Sequence, residues 1–96
     1  MKYYYVYIVS NWNHYVFYTG FADDLCRRTV EHRLKIYRGF TSKYNCFKLL
    51  YFEIYHEIND AKHRERQLKR YRRNWKENLI KSINPTYKDL FFDVKD

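Results

Sequence analysis

Two runs of β-branched and aromatic side chains, Tyr3 to Ser10 and His14 to Thr19, flank the tripeptide Asn11-Trp12-Asn13. Such residues fit a pleated, half-buried surface, and asparagine supplies turn chemistry, so the chain is predicted to open with a β-hairpin. With Trp12-Asn13 taken as the loop, Asn11 pairs with His14 and Tyr7 lies opposite Tyr18. Directly opposed residues share a face, with Cβ atoms about 5 Å apart. An even loop keeps the two tyrosines on one face and an odd loop separates them. Gly20 is read as the end of the second strand. Whether two adjacent tyrosines are packing or chemistry stays open at this level.

The rest of the chain is punctuated sparingly, by Gly20, Gly39 and Pro85 alone. Asp23 or Asp24 can cap a helix running to about Leu34. Residues 37–46 read as a basic loop, and a third strand spans roughly Phe47 to Tyr55 with Leu50, Phe52 and Ile54 on one face. Asn59 or Asp60 is placed to cap a second helix reaching about Tyr71. A third follows near Asn74 to Ser82, stopped by the Asn84-Pro85 step, because a residue before proline disfavours helix. The tail Tyr87 to Val94 is expected to pack Leu90, Phe91 and Phe92 back onto the domain. A chain of 96 residues suits one domain, here 1–96. The order ββαβαα predicts an α/β fold: a small, largely antiparallel three-stranded sheet flanked by helices.

The formal net charge is +8, with twelve tyrosines and seven phenylalanines. Cations neutralise phosphates and rings stack on bases, so a basic aromatic domain points to nucleic acid as partner. No basic helix carries the broad apolar face that a membrane surface would need. Cys26 and Cys46 form no C-x-x-C pair, so structural zinc lacks its usual sulfur ligands. The first ten residues lack a cleavage site and read as a strand, not a signal peptide. A reduced cytoplasmic protein without an organic cofactor, monomeric or weakly homodimeric, is the expectation.

Three positions fit a purely structural role poorly. Arg28 and His32 are one helical turn apart and face the same way, beside the apolar arc of Leu25, Cys26, Thr29 and Val30. That puts them at the border of the buried face, although a solvated basic helix would explain Arg28 alone. In the second helix Glu65 falls between Ala61 and Leu68, on a thin stripe that Trp75 would extend. An inward carboxylate must be paired, protonated or metal-bound, the plainer alternatives being an arginine partner or a Glu65–Lys69 pair. Phosphodiester hydrolysis needs such a set. A hard cation polarises the phosphate, an arginine neutralises charge on its oxygens, and a base activates water. A phenol is a poor base at its ordinary pKa near 10. Neighbouring Arg28 and a metal would lower that value, and His32 could receive the proton.

These residues also carry a resemblance. Tyr5-Val6-Tyr7 and Tyr18-Thr19-Gly20 resemble the paired signatures of the GIY-YIG nucleases, with ten residues between Tyr7 and Tyr18. Asp24 to His32 is similar to the family's D-L-x-x-R-x-x-x-H pattern. The loop Gly39 to Asn45, the segment Ala61 to Lys69 and Ile83-Asn84-Pro85 resemble the small stand-alone bacterial branch. The resemblance implies roles for individual residues. Tyr7 and Tyr18 are the signature tyrosines, with Tyr18 the water activator. Arg28 binds phosphate and His32 takes up or relays a proton. Glu65 is the sole protein ligand of Mg²⁺ or Mn²⁺, and Asn84 supports the site. Tyr5 departs from the first signature glycine, Thr19 from the usual isoleucine or valine, and Phe21 from a lysine of some relatives.

The expected activity is therefore metal-dependent endonucleolytic cleavage, with DNA the favoured substrate. Arg38, Lys43, Tyr44 and Lys69 are expected to contact the nucleic acid, and specificity is expected to rest on its structure or backbone. The alternatives are a catalytically weak binding module of the same fold and a protein-interaction module with a tyrosine patch.

Overall fold

The computed structural model describes residues 2–36 and 39–94. The elements are β1 (Tyr4–Ser10), β2 (Phe17–Ala22), α1 (Leu25–Arg33), α2 (Phe40–Lys43), β3 (Lys48–Tyr55), α3 (Ile58–Lys69), α4 (Arg73–Ile83) and α5 (Phe91–Val94). All strand pairs are antiparallel, in the order β2-β1-β3. This is the expected three-stranded sheet flanked by helices, with α2 and α5 as two additional helical turns. Among the described residues no helix is long and apolar enough to cross a membrane.

Helices cover the sheet on both faces, which is why Val6, Tyr7, Ile8 and Val9 of central β1 are all fully buried. On one face Val6, Ile8, Leu50 and Tyr51 pack with Ala61 and Leu68 of α3 and Ile80 of α4. On the other, Tyr7, Val9, Ala22 and Leu49 pack with Leu25 of α1 and with Cys46. Arg64 fastens α3 to the sheet, its Nε donating to Glu53 Oε1 of β3 at 3.0 Å.

The hairpin differs from its sequence reading in loop length. Six residues, Asn11 to Val16, separate the strands. Asn11 Oδ1 accepts from Val16 N at 3.0 Å and His14 takes a left-handed φ of 64°. From α4, Arg73 donates to the carbonyls of Tyr15, at 2.7 Å, and His14. This wider, externally anchored loop pairs Tyr7 with Gly20 and Tyr18 with Val9, so Tyr7 is not opposite Tyr18. The slip is two residues and strands repeat every two, so both tyrosines keep the shared face that the even-loop argument required. Gly20 consequently lies inside β2 instead of ending it.

The β3 pattern is corrected by a bulge. Ile8 pairs with Tyr51 but Val9 with Leu49, leaving Leu50 as the extra residue. Leu50 therefore joins the α3 face while Phe52 packs against the α1 face and Ile54 is largely exposed. The α3 helix begins before Asn59 and Asp60, with Glu57 at its N-cap and no side-chain cap bond. It ends at Lys69, so Trp75 belongs to α4 and does not extend the α3 stripe. In the tail, Leu90 N donates to Leu49 O at 2.7 Å, and the Arg33 guanidinium lies 4.3 Å from the Phe91 ring centre. Phe92 remains mostly exposed.

Candidate active site

The α1 helix starts where a side chain can satisfy its free amides: Asp24 Oδ1 accepts from Arg27 N at 3.0 Å. From that start Leu25, Thr29 and His32 turn inward and are buried, at 4%, 0% and 2% exposure. His32 is thus inside the domain, and Arg28 takes the border position, its side chain 20% exposed. Tyr7 Oη lies 2.9 Å from His32 Nε2, and His32 Nδ1 lies 3.0 Å from Thr41 Oγ1 of α2. A neutral imidazole donates through one nitrogen and accepts through the other, so both contacts can be satisfied together. Burial, and then the Arg28 charge, lower the His32 pKa to about 4. The ring is therefore uncharged near neutrality, and its surroundings oppose a charge on it.

Gly20 makes room for this arrangement. A Cβ there would stand 2.4 Å from Cζ and Oη of Tyr7, so the Tyr7 ring crosses the strand over the one residue without a side chain. Tyr18 stands beside the same imidazole, with ring centres 6.0 Å apart from His32 and 6.5 Å from Tyr7. Tyr7 is fully buried, whereas Tyr18 is half-buried and lines a cleft of about 280 Å³ with Phe17, Thr19, Phe40, Lys69 and Lys76. Arg28 Nε donates to Glu31 Oε1 at 3.1 Å.

The predicted contact residues extend this surface outward. Phe40 stacks on Tyr18 at 6.0 Å, Tyr44 lies 4.7 Å from Phe40, and Lys43 Nζ sits 5.4 Å from the Tyr44 ring centre. Lys43 and Tyr44 are exposed. Arg38 lies outside the described residues.

Glu65 is not the fully inward carboxylate that its spacing suggested. Ala61 and Leu68 point into the core, while the Glu65 side chain is 20% exposed and its Oε2 pairs with Lys69 Nζ at 3.2 Å. Lys69, its partner, lines the Tyr18 cleft. Among the described residues no three His, Cys, Asp or Glu side chains converge. A single hard carboxylate oxygen suits a cation that keeps most of its waters and draws further ligands from phosphate, not one that needs a protein cage. The donor set thus fits Mg²⁺-like chemistry and does not fit structural zinc.

Asn84 is 4% exposed and spends its amide on backbone. Nδ2 donates to Leu50 O at 3.0 Å and Lys88 O at 2.8 Å, and Oδ1 accepts from Lys88 N at 3.0 Å. It ties the end of α4 to β3 and the tail, which is support at a distance. Sequence reasoning gave no role to Thr41, Phe40 or Lys76. Thr41 and Phe40 sit in a segment read as an irregular basic loop, where no periodicity assigns a direction to a side chain.

The family model described as the GIY-YIG catalytic domain matches residues 3–78, which includes Tyr7, Tyr18, Arg28, His32 and Glu65 but not Asn84. A UPF0213 protein from Bacillus halodurans, solved by solution NMR, is similar in structure, with a TM-score of 0.58 and 25% identity over 91% of this chain and 92% of that one. No curated protein matches the chain.

Proposed function

The chain belongs to the GIY-YIG catalytic-domain family, and we propose that it is an endonuclease hydrolysing phosphodiester bonds in nucleic acid, with DNA the favoured substrate. The observation that carries this reading is the buried relay of Tyr7, His32 and Thr41, joined by contacts of 2.9 and 3.0 Å, with Tyr18 beside it at the cleft.

In this reading Tyr18 meets water and substrate, because Tyr7 is sealed inside and committed to His32. Tyr18, as the phenolate that a neighbouring cation favours, accepts the proton of the attacking water, and the uncharged His32 positions the tyrosine pair through its contact with Tyr7. Arg28, pre-set by Glu31, neutralises charge on the phosphoryl oxygens. Glu65 would hold one Mg²⁺ or Mn²⁺ ion in place of its pairing with Lys69. When bound, that ion would polarise the phosphate and stabilise the leaving oxygen. Asn84 keeps the sheet and α4 in register behind the site. Lys43, Tyr44 and Lys69, together with Arg38, track the strand. The free thiols of Cys26 and Cys46 suit a reducing, cytoplasmic setting.

The test is a cleavage screen over duplex, flap, junction and single-stranded DNA and RNA with Mg²⁺ or Mn²⁺. Metal-dependent cleavage lost in Glu65→Ala and in Arg28→Ala is the expected result. Cleavage that survives both substitutions overturns the assignment. A catalytically weak binding module is the second reading, favoured by the pairing of Glu65 with Lys69. Salt-sensitive binding without cleavage under any of these conditions would select it.

A further inference from the structure

Two features of the cleft beside Tyr18 are not explained by the roles above. Thr19 is 3% exposed, yet its Oγ1 has no hydrogen-bond partner among the described residues. Lys76 of α4 is half-buried, and the charges that act on it, Lys69 and Arg73, are both positive. Those two neighbours have acids of their own: Lys69 pairs with Glu65 and Arg73 with Glu77, each at 3.2 Å. Burial first, and then these like charges, depress the Lys76 pKa, so the ammonium occupies an unfavourable place in the free protein. Both residues line the same cleft. Among the described residues, a buried hydroxyl without an acceptor and a half-buried cation without a carboxylate lack the same thing, an anion that offers oxygen.

We propose that this cleft is a second phosphate subsite, in which Thr19 Oγ1, Lys69 and Lys76 hold a backbone phosphate of the nucleic-acid strand next to the scissile one. The choice of nucleic acid over a free anion rests on the proposed nuclease reading; the anion chemistry does not. The Lys69 and Lys76 ammonium groups donate to the phosphate oxygens, and the Thr19 hydroxyl, sealed in the free protein, donates to another once its side chain turns toward the cleft. Phe40, stacked on Tyr18 at the cleft wall, offers a ring face to the adjoining base. Thr19 would then serve a purpose that the isoleucine or valine usual at its position could not.

The experiment is metal-free, so it is independent of catalysis: fluorescence anisotropy of a labelled single-stranded oligodeoxynucleotide in EDTA, as a function of salt. Lys76→Met is expected to weaken binding about tenfold and to flatten the slope of log affinity against log salt by about one unit. Lys76→Arg retains the affinity. Thr19→Val weakens binding about threefold while its unfolding midpoint stays level or rises, because a buried unsatisfied hydroxyl has been removed. A structural role for Thr19 would lower both. Wild-type affinity and salt slope in Lys76→Met and Thr19→Val overturn the subsite. If inorganic phosphate raises the unfolding midpoint of the wild type but not of Thr19→Val, while DNA affinity is unchanged, the site takes a free anion and the nucleic-acid assignment falls. Failure of the cleavage screen with these binding effects intact would fell the nuclease reading and leave the subsite standing.

Discussion

At the scale of single residues, Gly20 and His32 set the chemistry. The Tyr7 ring lies where a Gly20 side chain would be, and it is walled in by the core, so it cannot swing away. Gly20→Ala is expected to destabilise the domain by about 1–3 kcal/mol in urea denaturation, the range for overpacking, and to reduce cleavage by displacing the Tyr7 hydroxyl from His32. His32 links stability to pH. Its folded pKa of about 4 lies below the unfolded value of 6.5, so the unfolded chain binds the extra proton between them. Stability should therefore rise with pH across that window and level off above it. In His32→Gln the slope through the same window should flatten, as read by urea midpoints over a pH series. The i,i+4 spacing of Arg28 and His32 was visible in the sequence. That His32 would be the inner of the two was not, because it depends on Thr41 closing over the ring from another segment.

At the scale of elements, local signals placed the secondary structure well but its ends less well. Asp24 caps α1 by the expected bond, and Asn84 ends α4 before Pro85 as the pre-proline restriction requires. Asn59 and Asp60 carry cap chemistry too, but α3 starts upstream of both, with Glu57 at its N-cap and no side-chain cap bond. Its hold on the sheet is Leu68, fully buried between β1, β3 and Ile80. Leu68→Ala should cost about 2–5 kcal/mol in chemical denaturation. If α3 is what carries Glu65 and Lys69 to the cleft, metal-dependent cleavage should fall more steeply with temperature in this variant than in the wild type. The β3 bulge illustrates the limit of a period-two pattern. Leu50, Phe52 and Ile54 alternate on paper, yet one unpaired residue at Leu50 puts the first of them on the opposite face.

At the scale of the whole molecule, the excess of positive charge acts as a field with a local exception. Glu65 is an acid among the cations of α3, and removing it should help DNA binding while abolishing the proposed chemistry. Glu65→Ala is expected to bind DNA in EDTA at least as tightly as the wild type, since Lys69 is released, and to cleave nothing when metal is added. Weaker binding by this variant in EDTA would mean that Glu65 organises the surface instead of serving a metal. The match over residues 3–78 and the similar Bacillus halodurans structure agree on the fold, and the proposed site draws on β1, β2, α1, α2 and α3 of it. No two of these elements would suffice, which is why each candidate residue was weak alone and the set was not.

The sequence by itself determined what depends on near neighbours along the chain. It settled the kinds and order of the main elements, a cap at Asp23 or Asp24, and the turn that stacks Arg28 over His32; Tyr7 and Tyr18 share a face because the six-residue loop, like the two-residue one assumed, is even. Helix and strand periods are properties of the local backbone, so they can be read in a window of a few residues. The tertiary structure decided what remote segments impose on each other. Arg73 of α4 holds the hairpin loop, the bulge divides Leu50 from Phe52, and Thr41 closes on His32. Those pairings bring together residues whose sequence separation carries no periodic signal, and only packing of the whole chain selects them.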